Sequence, residues 1–312
     1  MSFFPRKSKI RLALAGSLLF LTPFAIAAQT AGQTAQQPLV KLNVLVTDGS
    51  NNAITDLRQE DFRLTEDGTQ QTISYFSKAE MPVSYGLIID TTGSLRSLLD
   101  SVINTAKEVV RGNRQGDETF LMHFVDSDSI EIDQGLTEDR AVLEDALDTL
   151  FVEGGRTALI DALHRAAKYL GEHRKNSESG PRHYALVIIT DGEDRGSQLK
   201  PETLLSALRE SDLQVFAIGL TKLADTQGSR AKAADLLNRI ARESGGRAFF
   251  PTSISELPGI SKEIARDLHT QYVIGYNPAR ADAPGSSRKI QVTVAETPNR
   301  KKLNVITRMK NK

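Results

Sequence analysis

The segment Tyr85-Gly86-Leu87-Ile88-Ile89-Asp90-Thr91-Thr92-Gly93-Ser94 runs from an uncharged, mostly apolar stretch into a carboxylate and then a hydroxyl-rich loop. An apolar run without alternation reads as a strand buried on both faces, the form that strands take in parallel sheets. Leu95, Leu98, Leu99, Val102, Ile103, Ala106, Val109 and Val110 follow at helical spacing, so the order is strand, loop, amphipathic helix. The same alternation continues downstream. Strands are expected at 119–125, 184–189, 213–218 and 247–250, and helices at 140–150, 158–170, 202–209, 232–243 and 256–268. Repeated βα units place the chain in the α/β class, as a doubly wound, mostly parallel sheet with helices on both faces.

The two ends of the chain read differently. Val40, Leu42, Val44 and Val46 alternate with Lys41, Asn43, Leu45 and Thr47, as a half-buried strand does, and residues 48–52 make a turn. Residues 62–66 and 69–76 flank Asp67-Gly68, a dipeptide suited to a tight hairpin. At the other end, strands are expected at 272–276, 289–294 and 303–307, with the turn-rich stretch 278–287 between the first two. Without intervening helices these strands cannot readily extend a parallel sheet. The expectation is a small all-β domain made of residues 39–81 plus 270–309, with an α/β domain at 82–269 inserted between them.

Ahead of both, residues 1–28 read as a secretory signal. Arg6, Lys7, Lys9 and Arg11 form a basic region, residues 12–26 are apolar, and Ala25-Ile26-Ala27 supplies the small residues of a cleavage site. Residues 29–38 read as a flexible linker. The protein is therefore expected to be exported, periplasmic or secreted, without membrane attachment once the signal is removed. It has no cysteine, which excludes disulfides, lipid attachment through a thiol and thiol chemistry. Its 39 acidic and 39 basic side chains balance, which argues against nucleic acid as a partner, and the basic stretch 299–312 reads as a solvated strand and tail.

Three polar clusters fall where the strands of the α/β domain end: Asp90-Thr91-Thr92-Gly93-Ser94, Gly154-Gly155-Arg156-Thr157 and Thr190-Asp191-Gly192-Glu193-Asp194. In open α/β sheets, ligands bind outside the carboxyl ends of the strands, where strand order reverses. Two carboxylates brought together there repel unless a cation neutralises them. Hydroxyls of Thr92, Ser94 and Thr157 would complete an all-oxygen shell suited to Mg²⁺ or Mn²⁺, with Ca²⁺ a further candidate, and the absence of sulfur and imidazole disfavours zinc. Asp126-Ser127-Asp128-Ser129 reads as a polar turn between two strands rather than a second cation site. Glu193 and Asp194 read as a solvated loop, and the five histidines as structural or surface residues.

The spaced elements Asp90-x-Thr92-x-Ser94, Thr157 and Asp191 resemble the metal-ion-dependent adhesion site of von Willebrand factor type A domains, with Thr92 in place of the commoner middle Ser. The flanking Asp56-Leu57, Asp61-Phe62, Glu66-Asp67-Gly68, Phe76 and residues 272–276 are similar to exported bacterial proteins of the acidobacterial type in that family. The resemblance implies that Ser94 and Thr92 bind the metal directly, Thr157 directly or through water, and that Asp90 and Asp191 neutralise its charge. It also implies an open coordination position for an Asp or Glu carboxylate of a partner protein. Arg156 departs from the pattern, as a cation beside Thr157 that either opposes the metal or clamps an incoming carboxylate. Two other readings stand beside this binding module. One is a structural envelope component that binds through its β domain. The other is a metal-assisted phosphoester hydrolase, for which no nucleophile and base stand out and no phosphate-loop or nucleophile-elbow motif occurs, so no enzymatic activity is expected.

Overall fold

The computed structural model describes residues 39–78, 81–176, 180, 182–211, 213–224, 229–278, 289–295 and 303–308. The expected signal 1–28 and linker 29–38 lie outside the described residues, as do most of the turn 278–287 and most of the basic stretch 299–312. The chain opens with strands β1 (Val40–Thr47), β2 (Phe62–Glu66), β3 (Thr69–Gln71) and β4 (Tyr75–Ser77). The α/β part follows as β5 (Val83–Asp90), α1 (Leu99–Arg111), β6 (Glu118–Phe124), β7 (Ile130–Thr137), α2 (Arg140–Asp148), α3 (Leu159–Asn176) and β8 (His183–Thr190). It continues with α4 (Pro201–Glu210), β9 (Leu213–Gly219), α5 (Arg230–Ser244), β10 (Ala248–Phe249) and α6 (Leu257–His269). Strands β11 (Tyr272–Tyr276), β12 (Ile290–Val294) and β13 (Asn304–Thr307) close the described chain.

The central sheet has the order β10-β9-β8-β5-β6-β7 and is parallel except for β7. All residues of β5 and β8 are buried, because helices cover both faces. Alternation along the strands sorts their side chains. Leu87, Ile89, Val187 and Ile189 pack with Val102, Val109 and Ile264 of α1 and α6, whereas Ile88, Leu186 and Ile188 pack with Leu163, Leu205 and Leu237 of α3, α4 and α5. The chain leaves β5 toward β6 on one side and returns to β8 on the other. The crevice between β5 and β8 is thus the switch point of strand order.

Strand β7 was legible only as whatever follows the 126–129 turn. It is an antiparallel edge strand whose Glu131, Ile132 and Asp133 are exposed, and its pairing with β6 is irregular, so it carries no clean alternation. The expected strand at 69–76 is two strands. β3 pairs with β2, while β4 pairs with β11 in another sheet, and Ser74 marks the crossing by donating its backbone N–H to the Gly275 carbonyl at 2.9 Å.

The ends of the chain come together as anticipated. β1 lies between β11 and β13, and β12 pairs with β2, all antiparallel. The resulting four-stranded and three-stranded sheets share one apolar core of Leu42, Val44, Phe62, Leu64, Tyr272, Ile274, Ile290 and Val292. The Tyr272 hydroxyl ties this core to the loop after β1, accepting from the Leu57 N–H at 3.0 Å and donating to the Ile54 carbonyl at 2.9 Å. Among the described residues, no helix is long and apolar enough to cross a membrane.

Candidate metal centre

The first loop of the site is fixed by its neighbours on either side. Thr91 N–H donates to the Phe124 carbonyl at 3.1 Å, and Glu153 N–H donates to the Thr91 carbonyl at 2.9 Å. A parallel bridge between Thr92 and Glu153 adds a further tie. The carboxyl of Asp90, fully buried at the end of β5, then meets three donors. Oδ1 accepts from Thr92 N–H at 3.0 Å and from the Thr92 hydroxyl at 2.6 Å, and Oδ2 accepts from the Thr190 hydroxyl at 2.6 Å. Thr92 Oγ1 lies 3.1 Å from Ser94 Oγ. Because the Thr92 proton is directed at Asp90, the lone pairs of Thr92 stay available to an electrophile.

Asp191 follows β8 in a tight turn through Gly192, whose φ of +80° favours glycine. A Cβ at this position would also come within 2.8 Å of Leu237 Cδ1. Asp191 Oδ1 accepts from Glu193 N–H at 2.9 Å, but Oδ2 is buried with no hydrogen-bond partner. An unsatisfied buried carboxylate oxygen is costly and calls for a counter-charge. Burial, and then repulsion by Asp191, pushes the Asp90 carboxyl up to about 6. Its hydrogen bonds to Thr190 and Thr92 work in the opposite direction without cancelling the rise.

Thr157 is buried and held from both sides. Its carbonyl accepts from Arg195 N–H and Gly196 N–H, each at 2.9 Å, and the next residue, Ala158, donates to the Val125 carbonyl at 3.1 Å. Gly155 passes so near β6 that a Cβ there would sit 2.2 Å from Val125 Cγ1. The segment carrying Thr157 is therefore tied to the loop after β8 and to the end of β6. Arg156 is exposed.

Two neighbouring loops differ in how they match their sequence reading. Asp126 accepts from Asp128 N–H and Ser129 N–H at 3.1 Å each, as a polar turn should. Glu193 and Asp194, however, are not solvated. Glu193 is 9% exposed and paired with Arg195, while half-buried Asp194 accepts from the Ser197 hydroxyl at 2.5 Å and from Ile160 N–H at 3.4 Å, at the start of α3. Both brace the loop that follows Asp191.

Sequence reasoning passed over Thr190. Its hydroxyl donates to Asp90 Oδ2 and accepts from Gly192 N–H at 2.9 Å, so one side chain links the two carboxylate loops. The signal was a hydroxyl at the last position of an otherwise apolar strand end, where burial obliges it to find partners.

The donor set is made of oxygens alone. Among the described residues, no group of three or more His, Cys, Asp or Glu is placed to hold a metal. The cluster offers two carboxylates, with neutral hydroxyls for the remainder, and that chemistry together with the unsatisfied Asp191 Oδ2 fits a hard divalent cation.

The von Willebrand factor type A domain family matches over residues 86–263, more than half of the 312-residue chain. Several solved structures are similar in outline. An aerotolerance-related membrane protein from Bacteroides fragilis NCTC 9343 is 20% identical over 59% of this chain and 99% of its own, with a TM-score of 0.45. BatB from Bacteroides thetaiotaomicron is 16% identical over 59% of this chain and 98% of its own, with a TM-score of 0.44. A von Willebrand factor type A protein from Catenulispora acidiphila is 13% identical over 89% of this chain and 75% of its own, with a TM-score of 0.48. Likeness at this level says nothing of what the site does, and no curated protein matches the chain. The chain belongs to the von Willebrand factor type A domain family, whose members are generally protein-interaction modules.

Proposed function

We propose that this protein is an exported binding module that holds one divalent cation, Mg²⁺ by preference, at Asp90, Thr92, Ser94, Thr157 and Asp191. The cation then serves to capture a carboxylate of a partner protein. The observation that carries this reading is the buried Asp191 Oδ2, which has no hydrogen-bond partner and repels Asp90 at the switch point of the sheet. Two buried carboxylates in that position destabilise the fold unless a cation offsets them. Bound there, the cation would supply Lewis acidity for an anionic ligand oxygen. Mg²⁺ keeps waters and accepts an incomplete protein shell, which leaves room for that oxygen.

The rest of the site is suited to binding rather than turnover. Both oxygens of Asp90 are occupied by Thr92 and Thr190, so it is not a ready general base, and the hydroxyls near it are oriented as donors to it. Arg156 stands exposed on the segment that carries Thr157 and would favour an acidic partner. Export rests on the basic and apolar segment of residues 1–28.

A pull-down from envelope extract tests the reading. The expected result is a partner retained by the wild-type protein with Mg²⁺ and released both by chelator and by Asp191→Asn. A partner retained equally in chelator would overturn the metal-dependent mode and favour capture through the β domain.

A further inference from the structure

Phe151 stands on the loop between α2 and α3, the loop that carries Thr157, and is 66% exposed. The other exposed large apolar side chains among the described residues lie between 37% and 49%. Apolar residues scattered singly over a surface are ordinary, so position decides whether this one matters. Glu153, two residues on, donates its N–H to the Thr91 carbonyl at 2.9 Å and bridges in parallel to Thr92, at the first loop of the metal centre. Resting on the reading that the cation captures a partner carboxylate, we propose that the same partner segment carries an apolar side chain within about four residues of that carboxylate and packs it on Phe151.

The reach follows from backbone geometry. Residues bridged in parallel lie about 4.8 Å apart, and two further residues extend the chain by at most about 7 Å. The Cα of Phe151 is therefore within about 12 Å of that of Thr92. An extended segment rises about 3.3 Å per residue and covers that distance in about four residues. The surface between is open. Beyond its chain neighbours, a Cβ added at exposed Gly154 would meet no atom within 4 Å, and one at exposed Gly93 would meet only the Glu153 carbonyl at 4.0 Å. Partner backbone can approach closely where no side chain stands.

Charge on this rim suits an acidic segment. Arg96, two residues after Ser94, and Arg156, just before Thr157, are both exposed and form no ion pair among the described residues. The acid on the path, Glu153, has its carboxylate 3.7 Å from His123 Nε2. Asp126, near Gly155, is engaged by two N–H groups of its own turn. An acidic segment with an apolar side chain thus meets matching chemistry in the cation, the two arginines and the Phe151 ring. A large aromatic side chain is the kind of group that anchors a protein interface, because it buries much apolar area at little cost in side-chain entropy.

Calorimetry on the full chain tests the proposal. Mn²⁺ is titrated first into wild type and Phe151→Ser, a variant whose exposed position opens no cavity. Two acetylated and amidated heptapeptides follow with Mn²⁺ saturating, Leu-Gly-Gly-Asp-Gly-Gly-Leu and Gly-Gly-Gly-Asp-Gly-Gly-Gly. Leucine on both sides of the acid makes the outcome independent of chain direction. The expected result is that wild type binds the leucine peptide about tenfold tighter than the glycine peptide, and that Phe151→Ser binds both alike. The proposal is overturned if, with Mn²⁺ bound, neither peptide binds, wild type does not distinguish them, or Phe151→Ser keeps the preference. It is also overturned if sedimentation shows a wild-type dimer that Phe151→Ser abolishes, since Phe151 then serves a second copy of the chain. Absence of Mn²⁺ uptake by wild type is a separate failure, which removes the metal reading and this proposal with it.

Discussion

The two ends of the parallel sheet make opposite electrostatic environments from the same strands. Where β5 and β8 end, Asp90 and Asp191 lie buried among hydroxyls, and where β8 begins, His183 lies buried beside a cleft lined by Lys41, Arg174, Arg182 and Arg308. Desolvation shifts both ends toward neutrality, Asp90 up to about 6 and His183 down to about 4. In each case one polar atom remains without a partner, Asp191 Oδ2 above and His183 Nε2 below. The contrast is between carboxyl ends that hold buried carboxylates and an amino end that holds a buried, neutral imidazole.

Removing one carboxylate from the upper end has the largest expected effect. Asp191→Asn should weaken divalent-cation binding by about 100-fold or more, since loss of even the groups that orient a ligand costs about 10- to 100-fold. Equilibrium dialysis with Mn²⁺ would measure it, and retained affinity would dissolve the contrast between the ends.

Asp90→Asn should separate function from stability. The folded-state pKa of about 6 lies above the ordinary carboxyl value of 3.8, so the native state holds this proton more tightly. Metal-free wild type therefore loses stability as pH rises from about 4 to about 6, by about 3 kcal/mol through this group. The variant lacks that loss, and at pH 7 without metal it should unfold at a higher temperature than wild type while failing to bind cation. An unchanged melting temperature would remove the electrostatic argument.

The lower end should respond in the opposite direction. His183 has a folded-state pKa of about 4 against 6.5, so its contribution is complete above about pH 6.5 and is lost as pH falls toward 4. Thermal unfolding of His183→Gln should show a flatter acid limb than wild type between those values, by about 2 to 3 kcal/mol. A parallel limb would assign the acid sensitivity elsewhere.

Thr190→Val should have the smallest effect. It keeps shape but removes the donor to Asp90 and the acceptor for Gly192 N–H, leaving the carboxylates unlinked. Cation affinity should fall about tenfold with little change in fold, as expected of a positioning residue. Circular dichroism beside a Mn²⁺ titration would check both halves.

Much of this arrangement was legible in the amino-acid order because burial writes itself into pattern. The apolar runs ending in Asp90 and Thr190-Asp191 announced central strands with polar carboxyl ends, and Asp67-Gly68 announced its hairpin, where both residues take positive φ. β7 escaped because an exposed, irregular edge strand has no face to keep apolar. The break between β3 and β4 escaped because which sheet a strand joins depends on the distant β11 and β12. Glu193 and Asp194 looked solvated because their partners, Arg195, Ser197 and Ile160, are met only in the folded loop. The lower cleft was illegible for the same reason, since its four cations are scattered between positions 41 and 308 and converge only when the chain ends pair.

The central claim is that the upper carboxylates form a cation site, and titration calorimetry of Mg²⁺ and Mn²⁺ into the protein at pH 6 and pH 8 tests it most directly. The expected result is one saturable site that is absent in Asp191→Asn. At pH 6 it should show a heat that depends on the buffer, because Asp90 must give up its proton as the cation binds, and at pH 8 this dependence should vanish. No saturable heat at either pH, or equal binding by Asp191→Asn, would contradict it.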